Sequence, residues 1–160
     1  MNLLWLQSAG CGGCTMSLLC AEGPNALELL EGAGIDLLWH PTVSQASGHE
    51  VRELLARILA EEIPLDLLCV EGAVPRGPRG TGRYHMLAGT GRAMLDWVRD
   101  LSSVARHVVA VGTCATYGGM TTAGENPSDS AGLQYEGRLK GGILPAGFRA
   151  RGGLPVINVA

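Results

Sequence analysis

Leu3-Leu4-Trp5-Leu6-Gln7-Ser8-Ala9-Gly10-Cys11-Gly12-Gly13-Cys14-Thr15-Met16 reads as a strand, a turn of small residues and the start of a helix. Leu3 to Leu6 is a short apolar run ended by Ser8-Ala9-Gly10, which suits a strand buried on both faces. A helix should begin near Cys14 or Thr15 and run through Met16, Leu18 and Leu19 until Gly23-Pro24 interrupts it. Strands covered on both sides belong to parallel sheets, so this stretch sets the expectation for everything downstream.

The same alternation continues along the chain. Pro24 can open a second helical stretch, Asn25 to Glu31, because a proline in a first helical turn loses no hydrogen bond. Ile35 to Trp39 reads as strand two. Val51, Leu54, Leu55, Ile58 and Leu59 then recur at helical spacing, with Arg52, Glu53 and Glu61 off that face, giving the clearest helix. Leu65 to Val70 is a third strand, followed by a Gly, Pro and Arg loop, Glu71 to Arg83. A helix is predicted from Tyr84 to Leu101, although Gly89 and Gly91 each cost about 1 kcal/mol there relative to alanine. Val108 to Val111 and Pro155 to Val159 supply strands four and five. Residues 113–154, rich in Gly, Ser, Thr and Asn, should be mostly loop with a short helix. The pattern predicts an α/β fold, a doubly wound parallel sheet of about five strands with helices on both faces. Such sheets bind ligands beyond the carboxyl ends of their strands, where strand order reverses.

At 160 residues, with 46% apolar and 17% charged, the chain suits one domain with a sizeable core. Twelve basic residues against fifteen acidic ones, and only 4% aromatics, argue against nucleic acid as a partner. No apolar run approaches the roughly 18 residues that suggest a membrane span. The N-terminal stretch shows no basic n-region and no twin arginine, so a cytoplasmic location is expected. Five cysteines, an odd number in a reducing compartment, point to metal or redox chemistry rather than a disulfide framework.

Cys11-Gly12-Gly13-Cys14 directly follows strand one, which puts both sulfurs at the ligand edge of the expected sheet. A helix N-terminus lowers thiol pKa values, and the two glycines let backbone N–H groups aim at sulfur. Cys114 follows strand four in another small-residue loop, Val111 to Gly119, on the same edge. Three thiolates therefore converge, and a 4Fe-4S cluster wants four. The same geometry would put the fourth after strand five, where the sequence stops. On its own the CxxC reads equally well as a thiol-disulfide redox pair using Cys11 and Cys14, a reading that leaves Cys114 without a purpose. Cys20 and Cys69 fall in a helix and a strand and read as packed small hydrophobes. His40, His49, His85 and His107 have no spacing that suits zinc. Glu71 should end strand three at the ligand edge, where it is a candidate for hydrogen bonding around the site or for proton relay, and equally for an N-cap or a solvated loop carboxylate. The three arginines of Val74 to Arg83 suit a partner-facing loop, and Gly80-x-Gly82 lacks the context of a nucleotide loop. Met16, Met86 and Met94 fall in predicted helical stretches and are expected to pack in the core or at an interface.

Leu4 to Ser17, Cys69-Val70-Glu71-Gly72-Ala73-Val74-Pro75, and Val111 to Gly119 together resemble the small subunit of nickel-iron hydrogenases over essentially the whole chain. The CGGCTMSLL string and the RGPRGTGRYHMLAGTG stretch look most like the cytoplasmic hydrogen-sensing, or regulatory, branch. The resemblance implies a flavodoxin-like domain carrying a proximal 4Fe-4S cluster, with Cys11, Cys14 and Cys114 in three of its four cysteine positions. It also implies a nickel-iron centre held by a separate large subunit. The family's fourth cysteine lies in a Gly-Cys-Pro motif after a strand resembling Leu154 to Ala160, and further clusters follow it. On that reading these residues are the N-terminal part of a longer subunit. The related cluster-binding subunit of respiratory complex I has adjacent cysteines where this chain has CGGC.

Overall fold

The computed structural model describes residues 1–160. Five strands form one sheet: β1 (Asn2–Gln7), β2 (Asp36–Trp39), β3 (Leu67–Glu71), β4 (His107–Val111) and β5 (Ile157–Val159). Every pairing is parallel and the spatial order is β5-β4-β3-β1-β2, so β1 sits between strands that follow it by separate crossovers. This is the flavodoxin-type order, whose reversal lies between β1 and β3. The expected class and strand count hold.

Alternation along each strand sorts the side chains onto two faces. Leu4, Leu6, Leu68, Val70, Val108 and Ala110 are essentially inaccessible and pack on α3 (His49–Leu59) and α4 (Met94–Val104) through Val51, Leu55, Ile58, Val98 and Leu101. The opposite face buries Leu3, Trp5 and Cys69 against Leu18 of α1 (Gly13–Leu19) and Leu30 of α2 (Ala26–Gly32). That second layer covers the β1 and β2 side only. On β4 and β5 the same face carries half-buried Val109 and Val111 and exposed Ile157 and Val159.

Helix α2 starts one residue later than predicted. Asn25 is its N-cap, accepting from Leu27 N and Glu28 N while Glu28 reaches back to Asn25 N, so Pro24 precedes the helix instead of opening it. The predicted helix from Tyr84 to Leu101 is corrected more strongly. Met86–Leu87 and Arg92–Ala93 form an antiparallel ribbon, and α4 begins only at Met94. Gly89 and Gly91 have φ of 74° and 64°, left-handed values that end any helix and that glycine adopts without strain. Consequently Met86 is exposed and only Met94 is core, while Met16 is exposed on α1.

Residues 113–154 hold a short helix, α5 (Gly112–Tyr117), and two-residue ribbons joining Val74–Pro75 to Ser130–Ala131 and Tyr135–Glu136 to Leu139–Lys140. Buried Gln134 anchors this segment. Its Nε2 donates to the carbonyls of Ala146 and Phe148 at 3.1 and 3.0 Å, and its Oε1 accepts from Val156 N at 3.0 Å, just before β5. Of the cysteines expected in the core, Cys69 is buried, and burial pushes its thiol up to about 12. Cys20 is not. It follows the last residue of α1 one turn beyond exposed Met16, and so lies on the solvent side of that helix.

Candidate functional site

The carboxyl ends of β1, β3 and β4 meet where strand order reverses. Cys11 and Cys14 lie in the turn after β1 and the first turn of α1, and Cys114 lies in the first turn of α5, directly after β4. All three thiols are free; Cys11 is exposed and the other two are half-buried. Between the two cysteine-bearing segments stands β3, ending at Glu71, which pairs in register with Gln7 on one side and Val111 on the other.

Glycines set how closely these segments approach. Gly112 has φ of 82°, and a Cβ on it would collide with the Cys14 sulfur, so the loop of Cys114 lies directly against Cys14. Gly119 has φ of 53° and leaves space that a Cβ would take from the Cys114 sulfur at 2.5 Å. Gly12 caps α1 with φ of 72°, and the Gly13 N–H donates to Cys11 Sγ at 3.4 Å. As the side chains stand, no three Cys, His, Asp or Glu groups are gathered closely enough to hold a metal ion. The donor chemistry nevertheless fits an iron-sulfur cluster: soft thiolates on one edge, an N–H on sulfur, and glycine cradles that side chains would fill. These residues would supply three of the four ligands such a cluster takes.

Glu71 is the centre of the site. It is 3% exposed, yet five donors converge on its carboxylate. Oε1 accepts the Cys14 and Thr15 amides, each at 3.1 Å. Oε2 accepts Gln7 Nε2 at 3.0 Å, Trp5 Nε1 at 3.2 Å and the Thr15 hydroxyl in a short bond. Burial pushes the carboxyl up, but the hydrogen bonds from Thr15, Gln7 and Trp5 outweigh it, so Glu71 stays below its ordinary value and ionised at neutral pH. The carboxylate caps α1 from another strand, taking the amides that Gly12 has no side chain to satisfy.

That arrangement reverses one expectation. The α1 amides were predicted to lower the thiol pKa, but two of them are spent on Glu71. The Cys14 thiol is instead pushed up by burial, by the Glu71 carboxylate and by Cys11 and Cys114 nearby, with only a backbone hydrogen bond opposing. Sequence reading found Glu71 and the three cysteines but not Trp5, Gln7, Thr15 and His40, which surround the carboxylate. The available signal was the i, i+2 spacing of Trp5 and Gln7, which puts both on one face of β1 in register with Cys69 and Glu71. His40, after β2, gave no signal.

Residues 11–160 match the family model for the "NADH ubiquinone oxidoreductase, 20 Kd subunit". The chain is 30% identical to the small subunit of F420 non-reducing hydrogenase II of Methanosarcina mazei, over 99% of this chain and 43% of that protein. It is 34% identical to the hydrogenase-2 small chain of Escherichia coli K12, over 82% of this chain and 34% of that one. Among solved structures, the actinobacterial-type NiFe-hydrogenase of Ralstonia eutropha H16 superposes with a TM-score of 0.76 at 27% identity, covering 99% of this chain and 47% of its own. The Ni-Fe-Se hydrogenase of Desulfomicrobium baculatum gives 0.70 at 34% identity, covering 82% and 48%. The chain thus spans less than half the length of these relatives. By its sequence and by the sheet edge that carries its cysteines, the chain belongs to the NADH ubiquinone oxidoreductase 20 Kd subunit family and is similar to the small subunits of nickel-iron hydrogenases.

Proposed function

We propose that these residues are the cluster-carrying N-terminal part of a nickel-iron hydrogenase small subunit, with Cys11, Cys14 and Cys114 as three thiolate ligands of a 4Fe-4S cluster. One observation carries the reading: Gly112 lies against the Cys14 sulfur, so two cysteine-bearing loops 100 residues apart in sequence meet at the strand-order reversal. The cluster, when bound, supplies one-electron storage at a potential set by hydrogen bonding and burial. Electrons from dihydrogen split on a separate large subunit would enter there, and hydrogen sensing is the proposed use. The chain's own residues hold the thiolates, donate Gly13 N–H to Cys11 and keep a negative carboxylate next to the CxxC loop. A fourth thiolate is proposed after β5, outside these 160 residues.

The proposed partner surface is the same edge. Tyr117, Met120 and Leu139 are exposed there at 41%, 70% and 77%, more apolar surface than a free loop face needs and suited to an obligate subunit interface. A thiol-disulfide role for Cys11 and Cys14 is disfavoured, because it leaves without a purpose Cys114, whose loop lies against Cys14. No helix is long and apolar enough to cross a membrane. A cytoplasmic site of action is proposed, and cell fractionation checks it; the Desulfomicrobium baculatum small subunit is named periplasmic.

The deciding experiment is anaerobic purification of the longer gene product with its large subunit, followed by iron counting and electron paramagnetic resonance. Cys14→Ser and Cys114→Ser should each abolish the cluster signal, whereas Cys20→Ser should leave it unchanged. A full iron complement in Cys114→Ser would overturn the ligand assignment.

A further inference from the structure

The network around Glu71 extends to a residue that neither the cysteines nor the family resemblance brings in. His40 is 3% exposed and stacks on Trp5 with ring centroids 5.1 Å apart. Its Nδ1 accepts the Thr42 N–H at 3.0 Å, so that nitrogen carries no proton and the ring proton of the neutral imidazole lies on Nε2. Neutrality is what burial favours, since it lowers the pKa of His40 against the opposing pull of Glu71. Nε2 lies 3.3 Å from the Thr15 hydroxyl oxygen, which therefore accepts from His40. The same oxygen accepts from Gln7 Nε2 at 2.9 Å. With both acceptor positions taken, the single Thr15 hydroxyl proton has one place to go, the Glu71 carboxylate.

We propose that His40 and Thr15 are positioning residues for the CxxC loop: the imidazole fixes the direction of the Thr15 hydroxyl, the hydroxyl locks the Glu71 carboxylate, and the carboxylate holds the Cys14 and Thr15 amides. The tautomer set by Thr42 thereby reaches the residue that bears the thiolate. The consequence for electron transfer rests on the cluster reading above, because a fixed negative charge beside a thiolate ligand favours the oxidised cluster. The device itself does not depend on iron.

Two readouts keep the parts separate. The first is residue-resolved hydrogen exchange of the Cys14 and Thr15 amides in the metal-free full-length protein. Thr15→Val should speed both by roughly tenfold or more, the order expected for losing a hydrogen bond to a charged group. His40→Phe, which keeps a ring against Trp5, should speed them less, and Thr15→Ser should restore protection. Unchanged exchange in Thr15→Val would overturn the proposal, as would failure of Thr15→Ser to rescue. The second is the cluster midpoint potential in the assembled complex at pH 8. It should fall in Thr15→Val, where the carboxylate charge is less compensated, and return in Thr15→Ser. An unmoved potential alongside altered exchange would overturn the electrostatic consequence. Absence of iron in the unaltered complex would overturn the cluster reading and leave the exchange test standing.

Discussion

Glu71 is an ionised group in a place where burial alone would neutralise it, and its five donors are the reason it stays charged. Hydrogen bonds to a charged group are each worth roughly 1.5–3 kcal/mol, and an unpaired buried donor costs about 1–3 kcal/mol. Glu71→Gln keeps one acceptor oxygen but turns an amide group toward Thr15, Gln7 or Trp5. It should therefore destabilise the protein by about 1–3 kcal/mol in chemical denaturation. It should also lower the Cys14 thiol pKa, because the carboxylate is the largest charge pushing that thiol up. Alkylation of Cys14 against pH, read by mass spectrometry, checks this, and an unchanged profile would count against it. Acid stability follows from this carboxylate together with two histidines. His40 and His85 both have folded pKa values lowered by burial, so below the ordinary value of about 6.5 the unfolded chain takes up protons that the folded one refuses. Unfolding free energy should decline from about pH 6.5 downward, then decline again below the ordinary carboxylate range, where Glu71, lowered in the fold, must be protonated. His40→Phe should shrink the first decline to the part left by His85, and weaken the second only as far as it loosens the Thr15 bond to Glu71.

The elements that came through clearly from sequence were those with a local cause. Strands β1, β3 and β4 are short apolar runs closed by small residues, and α3 repeats its apolar residues at helical spacing; both signals survive folding because each element buries the faces its own pattern marks. The stretch from Tyr84 to Ala93 failed for a local reason too. Its apolar residues suit either a helix or a ribbon, and Gly89 and Gly91, taken as a tolerable cost, are the turn. At the site the cysteines were legible because a CxxC after a strand places itself. An N-cap role is among the sequence readings of Glu71, but that the capped helix is α1 was not legible, since the contact joins residues 56 and 57 positions apart and depends on β1 and β3 pairing in register. Gly112 allows a test at this scale. Its φ of 82° and the Cys14 sulfur beside it penalise a side chain twice, while Gly91, at φ 64°, has open space where a methyl group would stand. Gly91→Ala should cost about 1–2 kcal/mol, the strain of a left-handed residue alone. Gly112→Ala should cost more and, with the proposed cluster in place, also lower the iron content of the assembled protein. Equal losses, with iron unaffected, would mean that the Cys114 loop does not press on Cys14.

For the whole molecule, the two faces of the sheet are unequally covered. A parallel sheet is normally buried on both sides, and here α3 and α4 cover one side while α1 and α2 cover only the β1 and β2 half of the other. The remainder presents Val109 and Val111, half-buried, beside Ile157 at 39% and Val159 at 55% exposure, and these stand in register across β4 and β5. β5 is also an edge strand, three residues long, with unpaired backbone groups on its outer side. Contiguous apolar surface next to an open edge promotes association. The 160-residue chain alone should accordingly self-associate as concentration rises, measured by sedimentation velocity. Ile157→Lys with Val159→Lys should shift it toward monomer without lowering its unfolding midpoint, since neither side chain is buried. Met120→Asp, on the cysteine edge, should leave that self-association unchanged and instead weaken binding of the proposed large subunit. The two surfaces lie on different parts of the molecule, one on a sheet face and one at the strand ends, so the two sets of substitutions should act independently. Loss of large-subunit binding in the β5 variant, with Met120→Asp binding normally, would mean that the partner sits on the sheet face rather than on the cysteine edge.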